Sequence, residues 1–422
     1  MGVMMEEELQ SRGRRDILFE QAELYRKLEN ISVEVLSKYN YQEIRPPTFE
    51  DEKLFKRTIG ETTDIVEKQM YTFTDKKGRR LALRPEGTAG VVRAYIENSL
   101  GKITSVTKLF YLGQMFRYER PQKGRYREFY QIGAEYFGNA HPVADVEILL
   151  LNMEIFEKAG LKDKVELYIN SLGCKDCRQK YRAELLKSIN SRSKDLCKDC
   201  HNRMEKNPLR VLDCKDDRDK FKDLPAIENY LCDGCKEHFD GVQSLLDSGD
   251  CKYKVDRYLV RGLDYYTRTV FEIKSTEKLG AQDAVSAGGR YDTLVEQLGG
   301  ESVPACGFAI GVDRTIELME KTGQKVKKVF IAIAGLTGNL GLAGQAIKIA
   351  RLLRKNDIFT EGPYPDKSLK AQMRLSNSLN SSWTVIIGEE EMNKNTVILK
   401  DMTGQSQEEI PLDNLVADLL GR

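Results

Sequence analysis

Residues 114–135 read Gln-Met-Phe-Arg-Tyr-Glu-Arg-Pro-Gln-Lys-Gly-Arg-Tyr-Arg-Glu-Phe-Tyr-Gln-Ile-Gly-Ala-Glu, and their reading decides the fold. Aromatic residues fill both arms, which suits strands, while Pro121 and Gly124 break the middle. The pattern predicts two extended arms, 107–118 and 127–136, around a basic loop. Arg117, Arg120, Lys123, Arg125 and Arg127 supply its cations. Arginine dominates, and the planar guanidinium fork suits phosphate oxygens better than an ammonium does. A solvated basic hairpin would explain the charge alone. It would not explain Gln131 and Glu135, which lie four apart and so share one face of the second arm. Cations and a carboxylate on one sheet face suit a ligand that carries both signs of charge.

Working outward, Leu24, Leu28, Ile31 and Val35 keep one face of a helix over 17–39 apolar. A short strand over 41–45 follows and stops at Pro46-Pro47. Residues 69–74 and 79–84 read as a hairpin around Asp75-Lys-Lys-Gly. A helix is expected over 89–99 and another over 143–159. Strand and turn signals return over 258–273 and again in the glycine-rich 286–300. A short apolar strand at 306–310 leads into a helix over 311–321. The polar run 321–328 reads as a linker. Beyond it, strands at 329–334, 384–387 and 396–399 with a helix at 345–355 make a small α/β unit.

At 422 residues the chain is too long for one ordinary core, and two or three domains are expected. Net charge is +1, from 66 basic and 65 acidic residues, so any nucleic-acid footprint must be local. No apolar run is long enough to cross a bilayer, and residues 1–9 show no signal-peptide core. Nine cysteines without an export signal predict a reducing, cytoplasmic setting, with thiols free or on metal.

Eight of those cysteines fall within 174–251, a stretch rich in Lys and Asp that reads as an insertion. Cys174-x2-Cys177 and Cys197-x2-Cys200 stand 19 residues apart, which fits a zinc site of four thiolates. A further pair, Cys232 and Cys235, is open to joining Cys214 and either His238 or His201. A structural zinc would staple an insertion that reads as too polar to fold on its own core.

Four other segments weigh a site against plain structure. Arg84-Pro-Glu-Gly-Thr offers Glu86 and Thr88 to an ammonium group, or Thr88 as an ordinary helix N-cap. Residues 259–272 gather Arg261, Asp264, Tyr265 and Tyr266 beside a glycine, where an exposed turn is the plain alternative. Ser286-Ala-Gly-Gly-Arg-Tyr-Asp gives close backbone approach and then Arg290 and Tyr291. Arg314 falls in the first turn of a helix, where a cation is unfavourable unless an anion partners it. Gly335-Leu-Thr-Gly-Asn-Leu-Gly has the wrong spacing for a dinucleotide fingerprint and reads as a loop.

In order along nearly the whole chain, these segments resemble the histidyl-tRNA synthetases, within the class II aminoacyl-tRNA synthetases. Motif 1 resembles the helix and strand ending at Pro47, motif 2 resembles 114–135, and motif 3 resembles 307–314. The histidine signatures resemble Leu259-Val-Arg-Gly-Leu-Asp-Tyr-Tyr and Ala287-Gly-Gly-Arg-Tyr-Asp. The tail, with Gly388-Glu-Glu-Glu and Leu399-Lys-Asp, resembles the anticodon-binding domain. Asn40 stands where the family usually has glycine, and Asn tolerates left-handed geometry.

The resemblance implies an α+β fold: an antiparallel sheet flanked by helices, a helical Cys-rich insertion and a small C-terminal α/β anticodon-binding domain. It implies a catalytic domain over 1–173 and 252–322, an insertion over 174–251 and a tail over 323–422. It implies ligation of L-histidine to tRNA(His) through an adenylate, with ATP and Mg2+, by a homodimer. Histidine would be bound by Glu86, Gly87, Thr88, Arg117, Gln131, Glu135, Arg261, Tyr265, Tyr266 and Tyr291. Arg117, Arg125 and Arg314 would hold ATP, Arg261, Arg117 and Arg314 would act in catalysis, and Arg120 and Gln122 would face the tRNA acceptor end. The alternative is the family's non-catalytic paralogue, a regulatory subunit of ATP phosphoribosyltransferase. That paralogue lacks the tail and erodes the histidine residues, both of which are present here.

Overall fold

The computed structural model describes residues 13–60, 63–191, 196–214, 216–221, 223–279, 283–320, 327–335, 338–404 and 406–422. The linker expected over 321–328 lies outside them except for its last two residues. The chain divides into two compact units, Met1–Thr322 and Gly323–Arg422.

The strands in chain order are β1 (Gln42–Glu43), β2 (Phe49–Asp51), β3 (Thr72–Thr74), β4 (Arg80–Leu83), β5 (Thr107–Phe116), β6 (Glu128–Phe137), β7 (Val165–Ser171), β8 (Tyr253–Val255), β9 (Thr267–Ser275), β10 (Ala284–Arg290) and β11 (Ala305–Gly311) in the first unit. The second holds β12 (Lys328–Ile333), β13 (Phe359–Glu361), β14 (Trp383–Ile387), β15 (Thr396–Asp401) and β16 (Gln407–Pro411).

The first unit is built on an eight-stranded sheet of order β1-β5-β6-β11-β10-β9-β7-β8. The two arms read from the sequence are β5 and β6, paired antiparallel from Thr107↔Phe137 to Phe116↔Glu128. The sheet is antiparallel except at its two edges, where β1 runs parallel to β5 and β8 parallel to β7. The antiparallel sheet flanked by helices is the one expected, and only these two edge pairs depart from it. The edges differ because long helical connections, and not hairpins, lead into these short strands.

The first helix, Phe19–Lys38, buries Leu24, Leu28 and Val35 as its pattern predicts. It stops where Asn40 takes the left-handed conformation, φ 63°, so the family's usual glycine is not needed. Helix Pro142–Lys158 buries Val146, Leu149 and Ile155 on the same face of the sheet. The hairpin at Asp75 forms as β3–β4, with the Asp75 carboxylate accepting from the amides of Lys77 and Arg79, and it pairs further with β2.

Two expectations are refined in instructive ways. Of the strand and turn signals over 258–273, the strand begins at Thr267. Residues 258–266 form a loop because Asn170 donates to the Leu259 carbonyl (3.0 Å) and Arg178 to that of Tyr266 (2.8 Å), engaging its carbonyls from the side. The insertion is helical, as expected, but it does not lack a core. Tyr181, Leu185, Ile189 and Val211 pack in one cluster with Leu259 and Tyr265, while Phe239, Val242 and Leu246 join Leu149 and Ile155 in another. Burial of each such side chain is worth about 1.5–3 kcal/mol, so a polar composition hid an adequate core.

In the second unit the order is β13-β12-β14-β15-β16, parallel in the first three strands and antiparallel after that. Helix Leu340–Lys355 begins earlier than expected because the Asn339 side chain accepts from the Leu342 amide (3.1 Å). Gly341 therefore sits inside a helix. Glu361 accepts from the Tyr364 hydroxyl (2.7 Å) and the Gly362 amide (3.1 Å).

Candidate active site

The antiparallel centre of the large sheet floors a cleft of about 640 Å³. Its geometry starts from two glycines. Gly307 on β11 lies opposite Glu135 on β6, and a Cβ there would come within 1.9 Å of a Glu135 carboxylate oxygen. Gly87 leaves room for the Tyr111 ring, which a Cβ would meet at 2.2 Å. Backbone without side chains thus lets a carboxylate and a phenol turn into the sheet face.

Glu86 settles the competition at Arg84-Pro-Glu-Gly-Thr. Its carboxylate accepts from the amides of Thr88 (2.7 Å) and Ala89 (2.9 Å) at the start of helix Thr88–Glu97. Glu86 and not Thr88 caps this helix. The Thr88 hydroxyl is free to donate to Glu135 (2.7 Å), which also accepts from the Tyr291 hydroxyl. Both carboxyl groups are buried, and burial pushes both upward. Glu135 reaches about 8, burial first and neighbouring Glu86 adding, against the hydrogen bonds from Tyr291 and Thr88.

Aromatic rings close this end. Tyr265 lies 4.6 Å from Tyr266 and 5.6 Å from Tyr291, centroid to centroid, and all three are buried. Two buried oxygens here have no hydrogen-bond partner, Gln131 Oε1 and the Tyr111 hydroxyl. An orphan acceptor costs about 1–3 kcal/mol, so Gln131 awaits a donor.

The other end is cationic. Arg117 donates from Nε to the Pro85 carbonyl (2.8 Å) and lies over the Phe129 ring. Arg314 donates to the carbonyls of Gly124 (3.0 Å) and Ala284 (2.9 Å). Burial lowers both guanidinium groups, against nearby Glu119. Glu119 also pairs with Arg125, and it stays below the ordinary carboxylate range because its arginine partners outweigh its burial. Arg261 pairs with Glu272 and keeps its Nε buried without a partner.

The structure therefore brings Glu86, Thr88, Arg117, Arg125, Gln131, Glu135, Arg261, Tyr265, Tyr266, Tyr291 and Arg314 around one cleft, with Gly87 beneath Tyr111. Arg120 and Gln122 stand apart, exposed on the loop between β5 and β6, where the Gln122 and Arg125 backbones pair. Arg290, the neighbour of Tyr291, turns away. It is wholly buried, pairs with Asp145 at 2.5 Å and with Asp292 at 3.0 Å, and is a structural strut.

The zinc reading needs a correction. Cys174 and Cys177 cluster with Cys232 and Cys235, whereas Cys197 and Cys200 cluster with Cys214 and Asp217. The two pairs do not form one site: packing sets the start of helix Lys175–Asn190 against that of helix Asp233–Ser248, and the start of helix Lys198–Lys206 against Cys214 and Asp217. His238 packs instead against Asp145 at 3.3 Å.

Sequence reasoning missed Tyr111, Glu119 and Glu272. It also missed Asp313, which accepts from Arg15 (2.9 Å), Tyr25 (2.7 Å) and the Tyr130 amide (2.8 Å) and so aims the helix that carries Arg314. Glu119 lay inside the opening stretch and Asp313 beside Arg314, but nothing local marks a positioning carboxylate.

The family model for histidyl-tRNA synthetase matches residues 13–315, nearly three-quarters of the chain. The chain belongs to the histidyl-tRNA synthetase family. Members are class II aminoacyl-tRNA synthetases, enzymes that join histidine to tRNA. An anticodon binding domain matches residues 328–422. A histidine–tRNA ligase of Halothermothrix orenii is 46% identical over 415 residues, covering 97% of this chain and 98% of that protein. That of Thermodesulfovibrio yellowstonii is 48% identical over 408 residues, covering 96% of each. The apo crystal structure of S. aureus histidyl-tRNA synthetase superposes with a TM-score of 0.78 at 36% identity, covering 98% of this chain and 99% of that one. A Bacillus halodurans chain described as an ATP phosphoribosyltransferase regulatory subunit/histidyl-tRNA synthetase has a TM-score of 0.67 at 21% identity over 91% of this chain and 99% of that one, a likeness of fold alone. Among the described residues no helix is long and apolar enough to cross a membrane.

Proposed function

We propose that this chain activates L-histidine with ATP as histidyl-adenylate and then transfers histidine to the 3′-terminal ribose of tRNA(His). One observation carries the reading: a single cleft has buried carboxylates and phenols at one end and half-buried guanidinium groups at the other. The first end suits an ammonium and an imidazole N–H. The second suits a carboxylate and phosphates.

Glu86, Thr88 and Gln131 hold the α-amino group, with the orphan Gln131 Oε1 as acceptor. Glu135 and Tyr266 contact the imidazole, and Tyr265 and Tyr291 close around it. A carboxylate facing the imidazole N–H fixes its tautomer and rejects side chains without that donor. Arg117 holds the histidine carboxylate and the α-phosphate. Arg314, with Arg125 beside it, holds the γ-phosphate. The carboxylate oxygen attacks the α-phosphorus, a new P–O bond forms, the bond to the β-phosphate oxygen breaks and pyrophosphate leaves. Charge grows on the α-phosphoryl oxygens, and Arg261 and Arg117 stabilise it from positions largely removed from water. Magnesium would neutralise phosphate charge when bound. Glu119, the carboxylate among these arginines, is the group that would offer it an oxygen. The ribose 3′-hydroxyl then attacks the activated carbonyl and AMP departs.

Arg120 and Gln122 meet the acceptor end, which their exposure allows. The second unit reads unpaired anticodon bases, which are the accessible part of a folded RNA. A homodimer in the cytoplasm belongs to the same reading, and light scattering at micromolar concentration tests the dimer. The decisive experiment is ATP–pyrophosphate exchange with each amino acid in turn and no tRNA. Exchange with histidine alone is expected. No exchange from folded protein would overturn the reading and favour a regulatory role.

A further inference from the structure

We propose that the insertion holds two structural zinc ions, one on Cys174, Cys177, Cys232 and Cys235, the other on Cys197, Cys200, Cys214 and Asp217. In each set the ligand atoms all lie within 4.8 Å of one another. Tetrahedral thiolates around zinc stand roughly 3.8 Å apart. Cys174 and Cys177 Sγ are 3.5 Å apart, and Cys197 and Cys214 Sγ are 3.6 Å apart. These separations are far from the roughly 2.05 Å of a disulfide and close to the edge of a coordination tetrahedron.

The surroundings fit metal-bound sulfur. Cys174, Cys197 and Cys232 each stand at a helix N-cap, with the second cysteine of the pair in the first turn. Backbone amides point at the sulfurs: Cys232 N–H donates to Cys177 Sγ (3.1 Å) and Cys200 N–H to Cys197 Sγ (3.4 Å). Asp217 is buried, with the Cys197 amide (2.8 Å) and Lys220 Nζ (2.8 Å) orienting its two oxygens. Such outer contacts hold ligands in place for a metal. Gly173, at φ 62°, leaves the space that Cys177 occupies.

The two centres do different work. The first joins the start of the insertion to its last helix, Asp233–Ser248. The second closes the segment between Cys197 and Cys214, which forms one wall of the cleft. From that segment Asn207 donates to Asp264 (2.7 Å), Arg210 pairs with Asp64 (3.6 Å), and Arg203, Leu212 and Asp213 line the cleft. Loss of the second metal should loosen that wall, while loss of the first should loosen the start of helix Lys175–Asn190, whose Arg178 holds the Tyr266 carbonyl (2.8 Å).

Elemental analysis of the full chain, purified under reducing conditions, tests this. Two zinc ions per chain are expected, and C232S and C197S should each keep one. Cobalt substitution keeps the test sharp. Thiolate-to-cobalt absorption in C197S should report four sulfurs, and in C232S three. If either variant fails to fold, stepwise release of zinc from the wild-type chain to a colorimetric chelator should still count two equivalents. C197S and C232S should each raise the KM for histidine in pyrophosphate exchange, since both centres brace segments that hold the 258–266 loop. A count of none, or a single ion that both variants abolish, overturns the proposal. Neither result would touch histidine-dependent exchange by the wild-type chain, so the two readings fail separately.

Discussion

The two ends of the cleft hold their charge in opposite ways. At one end Glu86 and Glu135 accept hydrogen bonds from hydroxyls and backbone amides alone, and burial drives both toward the neutral form. At the other, Arg117, Arg125 and Arg314 gather about one carboxylate, Glu119, which stays ionised. Carboxylates can shed charge by taking a proton, so a desolvated pair is tolerable. A guanidinium cannot lose its proton at any ordinary pH, so the cationic end needs carbonyls and a counter-carboxylate to exist at all. The first end is therefore tunable by pH and the second is fixed.

Arg261→Ala is the strongest way to break this comparison. It should cut histidine-dependent pyrophosphate exchange by on the order of 10²–10³ in kcat while histidine still binds, as expected for a group acting on developing charge. Unchanged turnover would remove Arg261 from the chemistry. Glu135→Gln should act the other way, raising the KM for histidine roughly 10- to 100-fold with a smaller change in kcat, the size of a lost charged hydrogen bond. An equal fall in kcat would mean that the carboxylate end also serves the transition state.

The pH dependence sharpens the contrast. Glu135 titrates at about 8 in the folded chain against an ordinary 4.5. A raised folded value means that the folded chain holds the proton more tightly. Its contribution is complete below about pH 4.5 and is lost as pH climbs through about 8. Without histidine, the Tm of the wild type relative to Glu135→Gln should therefore fall between about pH 4.5 and 8 and level off above that. A difference flat across that range would show the carboxylate ionised throughout. The smallest effect is expected at exposed Arg120. Arg120→Ala should leave pyrophosphate exchange alone and slow transfer to tRNA up to about five-fold, within the range of a solvated ion pair. An exchange defect would place Arg120 in the cleft.

Much of this was legible along the chain, because strands and helices announce themselves by period. The two arms of 114–135, the helix ending at Asn40 and the Asp75 hairpin all follow from local apolar spacing and turn chemistry. Tyr111 did not stand out, since a buried tyrosine on a strand looks like any core residue until Gly87 and Gly133 are seen to make room for it. Arg290 and Tyr291 looked alike as neighbours, yet where β10 ends one side chain goes to Asp145 and the other to Glu135.

By itself, the sequence determined the segments, their order and the residue types that carry charge. The family resemblance rested on that order, and the comparisons bear it out. Tertiary structure alone decided which cysteines meet, that Glu86 rather than Thr88 caps its helix, and that Asp313 aims the helix of Arg314. These are pairings across 2 to nearly 300 residues. Local propensity governs the path of the backbone. Which side chains share a buried space depends on how layers stack, and no spacing rule encodes that.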